Sequence, residues 1–174
     1  MEPRTRIALI GLGNDFRHDD GVGLAVVDAL RTRAAHRPLP RGTALSTCDG
    51  DPGRLIALWH EADLAVVVDS AHAYPDQPGR VVRLELDGRQ LAGPSRAHSH
   101  GHVLAEGIEL SRIFGRLPGR LVVYAVQGVD SSLGSGLSPT IAAEVERVAE
   151  RIEDDVALHR CAVAYDRQPA MHVP

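Results

Sequence analysis

Three stretches of the sequence gather side chains with chemical reach. The first, GLGNDFRHDDGVG over residues 11–23, follows the apolar run TRIALI and sets Asp15, Asp19 and Asp20 among glycines. The second is a single carboxylate, Asp69, closing the apolar run LAVVV. The third, HSHGH, places His98, His100 and His102 at alternate positions. Imidazole and carboxylate together suit borderline transition metals such as nickel or zinc. A carboxylate pair with no cation beside it invites one.

The glycine loop begins like a phosphate cradle, but a dinucleotide fingerprint asks for GxGxxG, and Phe16 holds the third glycine's place. Pyrophosphate is held by backbone N–H groups and positive potential, which neighbouring carboxylates oppose. A nucleotide-binding α/β enzyme therefore stands only as an alternative. Gly11 and Gly13 serve a tight strand-to-helix turn in which Asn14 tolerates unusual backbone angles. Asp19 and Asp20 fall at the expected start of a helix, where one carboxylate is enough to cap orphan N–H groups. The other is free to face the sheet edge. Asp69 at a buried strand end is costly without a partner. It either bonds loop N–H groups or works in a site beyond the strand ends, where α/β proteins collect their ligands. The histidines would share a face if extended; in a helix His98 and His102 lie one turn apart, and a solvated loop accounts for them equally well. Ser70 lacks a GxSxG elbow, Cys48 lacks an activating base nearby, and no HExxH occurs. A covalent-nucleophile hydrolase and a zincin are thus disfavoured.

Positioning these groups falls to alternating strands and helices. Strands are expected at Arg6–Gly13, Thr43–Cys48, Leu64–Asp69, Gly79–Leu86 (an edge candidate) and Arg120–Val126. Helices are expected from Asp20 to about Ala34, with Val22, Val26 and Leu30 on one face, then over Gly53–Ala62 and Val103–Leu117. In the third of these, Leu104, Ile108, Leu110, Ile113, Phe114 and Leu117 form the apolar series. Ser138 and Pro139 mark the start of a last helix carrying Ile141, Val145, Val148 and Ile152. After Asp155 the pattern fades, so one α/β domain over residues 1–155 and a loosely ordered tail over 156–174 are expected. The fold class that follows is an α/β three-layer sandwich: a twisted, mostly parallel sheet of about five strands flanked by helices. The three chemical stretches would then meet on one sheet edge.

Composition narrows the partners. The 174 residues carry 23 acidic and 19 basic side chains, a formal charge of −4. That balance, with no long Lys/Arg run, argues against nucleic acid. Aromatics are only 3% of residues, so the core must be aliphatic, as suits a covered parallel sheet. Cys48 and Cys161 are far apart and in no CxxC spacing, which fits a reducing cytoplasm. The apolar run near the N-terminus is too short for a signal peptide, and no stretch is long enough to span a bilayer.

Taken in order, these motifs resemble those of the hydrogenase maturation proteases, the endopeptidases that trim nickel–iron hydrogenase large subunits. GLGNDFRHDDGVG is similar to the family's opening motif, CDGDPGRL to its Asp-Gly pair after the second strand, and VVVDS to its strand-end aspartate. SHGHVLAEGIEL resembles its helix-opening histidine, and GLSPTIAAEVERVAERI its last helix. The resemblance runs from about Arg6 to Ile152. It implies that Asp20, Asp69 and His100 face a nickel ion, as metal ligands and as the catalytic groups. By the resemblance His100 is preferred to His98 and His102, because its place four residues before Leu104 and six before Glu106 matches the family's register. Asn14, Asp19 and Asp49 are implied as residues of substrate-facing loops. The nickel belongs to the substrate, a loaded large-subunit precursor, and is not a permanent cofactor. The implied reaction removes the precursor's C-terminal extension, by a cytoplasmic enzyme that works as a monomer. Asp51 and His18 depart from the family's usual residues, and His18 is a further candidate near the ion. The alternatives are a nickel-dependent module that binds the precursor without cutting it, a metallohydrolase acting on small molecules, and the nucleotide-binding enzyme.

Overall fold

The computed structural model describes residues 5–72, 77–87 and 102–166. Five strands form one sheet: β1 (Ile7–Leu12), β2 (Thr43–Cys48), β3 (Leu64–Ala71), β4 (Val81–Asp87) and β5 (Arg120–Gln127). Their order is β2-β1-β3-β5-β4. Every neighbouring pair is parallel except β4 with β5, which is antiparallel. The helices are α1 (Val22–His36), α2 (Pro52–Trp59), α3 (His102–Phe114) and α4 (Pro139–Asp166), with a short 3-10 turn at His18–Gly21 ahead of α1.

Two apolar layers cover the sheet. On one face Ile7, Leu9, Val66, Val68 and Val122 pack against Val22, Val26 and Leu30 of α1 and Ile141, Val148 and Ile152 of α4. On the other, Ile10, Val67 and Val123 meet Leu55 and Trp59 of α2 and Leu104 and Ile108 of α3. Strand β3 is buried on both faces, which is why LAVVV is a continuous apolar run and not an alternating one. β4 is the edge. It mixes half-buried and exposed residues, and Arg83 ties it to Asp155 of α4 at 2.8 Å.

Gly11 and Gly23 let α1 lie against β1. A Cβ on Gly11 would stand 2.1 Å from the Gly23 carbonyl oxygen, and one on Gly23 would stand 2.2 Å from that of Leu12. The glycines of the opening motif are thus required by backbone-to-backbone packing.

Three expectations need correction. Helix α1 begins at Val22, because the chain first makes the 3-10 turn that holds Asp19 and Asp20. Helix α3 ends at Phe114, where Gly115 turns left-handed (φ +63°) and the Arg116 N–H closes on the Ser111 carbonyl at 2.8 Å. Ile113 and Phe114 consequently point outward, 71% and 63% exposed. Order also does not end at Asp155. Helix α4 continues to Asp166, with Val156 and His159 buried in line with Ile152. A histidine on the inner face and Leu158 on the outer one disguise the period there. No helix among the described residues is long and apolar enough to cross a membrane.

Candidate functional site

The strand order reverses between β1 and β3, since β1 leads outward to β2 and the chain then returns to β3. Crevices open at the carboxyl ends of strands at such a reversal. A cavity of about 330 Å³ lies there, walled by Leu12, Gly13, Asn14 and Arg17 from the first loop, with Asp20 from the 3-10 turn. Asp49 and Gly50 after β2, Asp69, Ser70 and His72 on the β3 side, and His102 and Val103 at the start of α3 complete the lining.

Asp20 and Asp69, distant in sequence, therefore share one cavity. Burial pushes the Asp69 carboxyl up to about 7, and the neighbouring Asp20 charge adds to the rise; a hydrogen bond from the Ser70 backbone N–H opposes it. The Ser70 hydroxyl donates to Asp20 Oδ1 at 2.8 Å. Ser70 thus touches both carboxylates, one through its side chain and one through its backbone. Asn14 lines the cavity with its Oδ1 already accepting the Phe16 N–H at 2.9 Å, which leaves its amide N–H groups as the available donors.

Asp19 goes elsewhere. Its carboxylate is 1% exposed and accepts the N–H groups of Val129, Asp130 and Ser138 and the Ser138 hydroxyl, all at 2.7–2.9 Å. Burial alone would raise its pKa, but these four donors outweigh it and hold the carboxyl below its ordinary value. Asp19 therefore does not line the cavity; it pins the loop between β5 and α4, holding Ser138 just ahead of α4, and does not cap its own helix. His18 turns away as well. Its Nδ1 lies 3.0 Å from the Gly136 carbonyl oxygen, a contact that requires the proton on Nδ1. Asp51, the other departure from the resemblance, caps α2 by accepting the Gly53 N–H at 2.8 Å.

Of the three histidines, His102 lines the cavity as the first residue of α3, and His98 and His100 lie outside the described residues. Among the described residues no three histidine, cysteine or carboxylate side chains gather as a metal centre. Cys48 is buried with its Sγ against the Asp51 carbonyl, and Ser70 spends its proton on Asp20. Arg17 and His72 also line the cavity and escaped the sequence reading. Arg17 was legible as the one arginine in an acidic loop, and His72 as a histidine just past the strand end that Asp69 occupies.

Fold and cavity together define an α/β protein with paired carboxylates at the carboxyl edge of a mostly parallel sheet. The family model for hydrogenase maturation protease matches residues 50–155. Hydrogenase 2 maturation protease of Escherichia coli K12 is 25% identical over 149 residues, 84% of this chain and 88% of that protein. The hydrogenase expression/formation protein HupD of Thiocapsa roseopersicina is 28% identical over 155 residues, covering 88% of this chain and 67% of its own length. Among solved structures, the maturating endopeptidase HybD of E. coli superposes with a TM-score of 0.65 at 23% identity, over 84% of this chain and 89% of HybD. The [NiFe] hydrogenase maturation protease HycI of Thermococcus kodakarensis gives 0.60 at 25% identity, over 90% and 95%. The chain belongs to the hydrogenase maturation protease family, and it is a peptidase.

Proposed function

We propose that this protein removes the C-terminal extension of a nickel-loaded nickel–iron hydrogenase large-subunit precursor, recognising the substrate's nickel through Asp20, Asp69 and His100. The supporting observation is the meeting of Asp20 and Asp69 on one cavity wall, close enough for the charge of one to raise the pKa of the other. Two like carboxylates held together in a half-buried crevice are relieved by a divalent cation arriving with the substrate. The nickel is cargo of the precursor and not a resident cofactor. The reaction takes place in the cytoplasm, with the protease acting as a monomer.

With Ser70 and Cys48 otherwise engaged, water is the nucleophile. Asp69, whose carboxyl titrates near neutral pH, is suited to take the proton of that water, and Asp20 orients it. His100 helps hold the substrate's ion, while the Asn14 amide faces the developing oxyanion; the Gly13 N–H is already given to the Cys48 carbonyl at 3.1 Å. The Asp49 side of the cavity receives the polypeptide.

The reading is tested by mixing the protein with nickel-loaded and nickel-free precursor and following electrophoretic mobility. The loaded precursor should shift to a shorter product and the nickel-free one should not. A loaded precursor that is bound yet keeps its mobility would instead identify a recognition module.

Ser70 supplies a graded test. Removing its hydroxyl takes one hydrogen bond from the Asp20 charge, an effect of about 1.5 kcal/mol or a ten-fold loss of processing rate. Ser70→Ala should show that loss in a timed processing assay, and Ser70→Thr should recover most of it. Equal rates for all three proteins would remove Ser70 from the reaction.

A further inference from the structure

The first loop, which walls the cavity with Asn14 and Arg17, is stitched to the loop between β5 and α4. Arg17 and Gly134 form a bridge, with the Gly134 N–H donating to the Phe16 carbonyl and the His18 N–H to the Gly134 carbonyl, both at 3.0 Å. The Asp19 N–H donates to the Asp130 carbonyl at 2.9 Å, and the Asp19 carboxylate holds the N–H groups of Val129 and Asp130 from the other side. This pinned pair of loops nevertheless presents Phe16 75%, Leu133 79% and Val129 57% exposed. Large apolar side chains held in water by a fixed backbone mark a surface that meets a partner.

We infer that Phe16, Leu133 and Val129 form a docking platform for an apolar surface segment of the precursor next to the cleavage point, a proposal that rests on the function proposed above. Position argues for this occupant. Asn14 and Arg17, which bracket Phe16 closely in sequence, both line the cavity, so the platform continues the cavity wall outward. A cavity of about 330 Å³ holds only a short stretch of chain, and the rest of a protein substrate must pass over its rim. The bonds between the loops keep the apolar side chains in place before binding, which lowers the ordering cost of association.

The experiment immobilises nickel-loaded precursor and measures binding of the wild type, the Phe16→Ser/Leu133→Ser double variant and Phe16→Leu, with a thermal melt of each. The double variant should melt like the wild type and bind about ten-fold more weakly or worse, the scale of interface anchors. Phe16→Leu, still apolar, should stay near wild type. Wild-type binding matched by the double variant overturns the platform while leaving the proposed function standing. A wild type that binds but does not cut, with the double variant weakened, supports the platform and overturns the cleavage. No wild-type binding overturns both. If sedimentation shows that the wild type self-associates and the double variant does not, the patch is a contact between copies and the proposal fails.

Discussion

Asp69→Asn is expected to stabilise the protein at pH 8 while lowering precursor processing by about a hundred-fold or more, the range for loss of a general base. The carboxyl is raised from 3.8 to about 7 by burial and by the Asp20 charge. A carboxyl whose folded pKa lies above its unfolded one favours the folded state while both states are protonated. That contribution is lost as pH rises from about 4 through about 7. Above that window the native protein carries a strained anion worth roughly 2–4 kcal/mol. A neutral amide of the same shape removes it. For a chain of this size the gain corresponds to about 5–10 °C in melting temperature at pH 8, shrinking toward zero near pH 4. Paired thermal melts at the two pH values check it, alongside a processing assay at pH 8. An Asn variant less stable than wild type at pH 8 would mean that the Asp69 charge is well compensated in the native site.

Asp19→Ala should have the opposite signature, a fold weakened by about 3–5 kcal/mol. Four donors converge on the Asp19 carboxylate, three of them backbone N–H groups from Val129, Asp130 and Ser138. Alanine leaves them without an acceptor in a site that is 1% exposed. It also frees Ser138 ahead of α4 and releases the loop that carries Leu133. Because the Asp19 carboxyl is held below its ordinary 3.8, its stabilisation is present above about pH 4 and is lost as pH falls through the lower folded value. The gap between wild type and variant in urea unfolding should therefore be wide at pH 7 and narrow as pH falls through that lowered value. Asp19→Asn, which keeps one acceptor oxygen, should fall between them. A variant within 1 kcal/mol of wild type at pH 7 would show that the loop does not depend on this carboxylate.

The two aspartates show what a sequence carries and what it withholds. LAVVVD announces a buried strand ending in a carboxylate, and β3 begins at Leu64 as expected. Thr43–Cys48 and the starts of β5 and α4 are likewise written in local pattern, because apolar runs, Ser-Pro and glycine act over a few residues. Asp19 and Asp20 are chemically alike and adjacent, so no local rule divides their labour. The division comes from a loop more than a hundred residues away that offers its N–H groups to Asp19. Phe16 illustrates the same limit: sequence marks it as a missing glycine, and only the pairing with Gly134 shows it as part of an exposed platform. The extension of α4 past Asp155 was hidden because His159, polar by type, is buried by position.

In the proposed function, Asp20 and Asp69 read a nickel ion held by another protein. The most direct test is mass spectrometry of nickel-loaded precursor after incubation with wild type or Asp20→Asn. Loss of the C-terminal peptide is expected with wild type and an intact precursor with the variant, whose fold is confirmed by its melt. Undiminished release of the peptide by Asp20→Asn would contradict this role of Asp20.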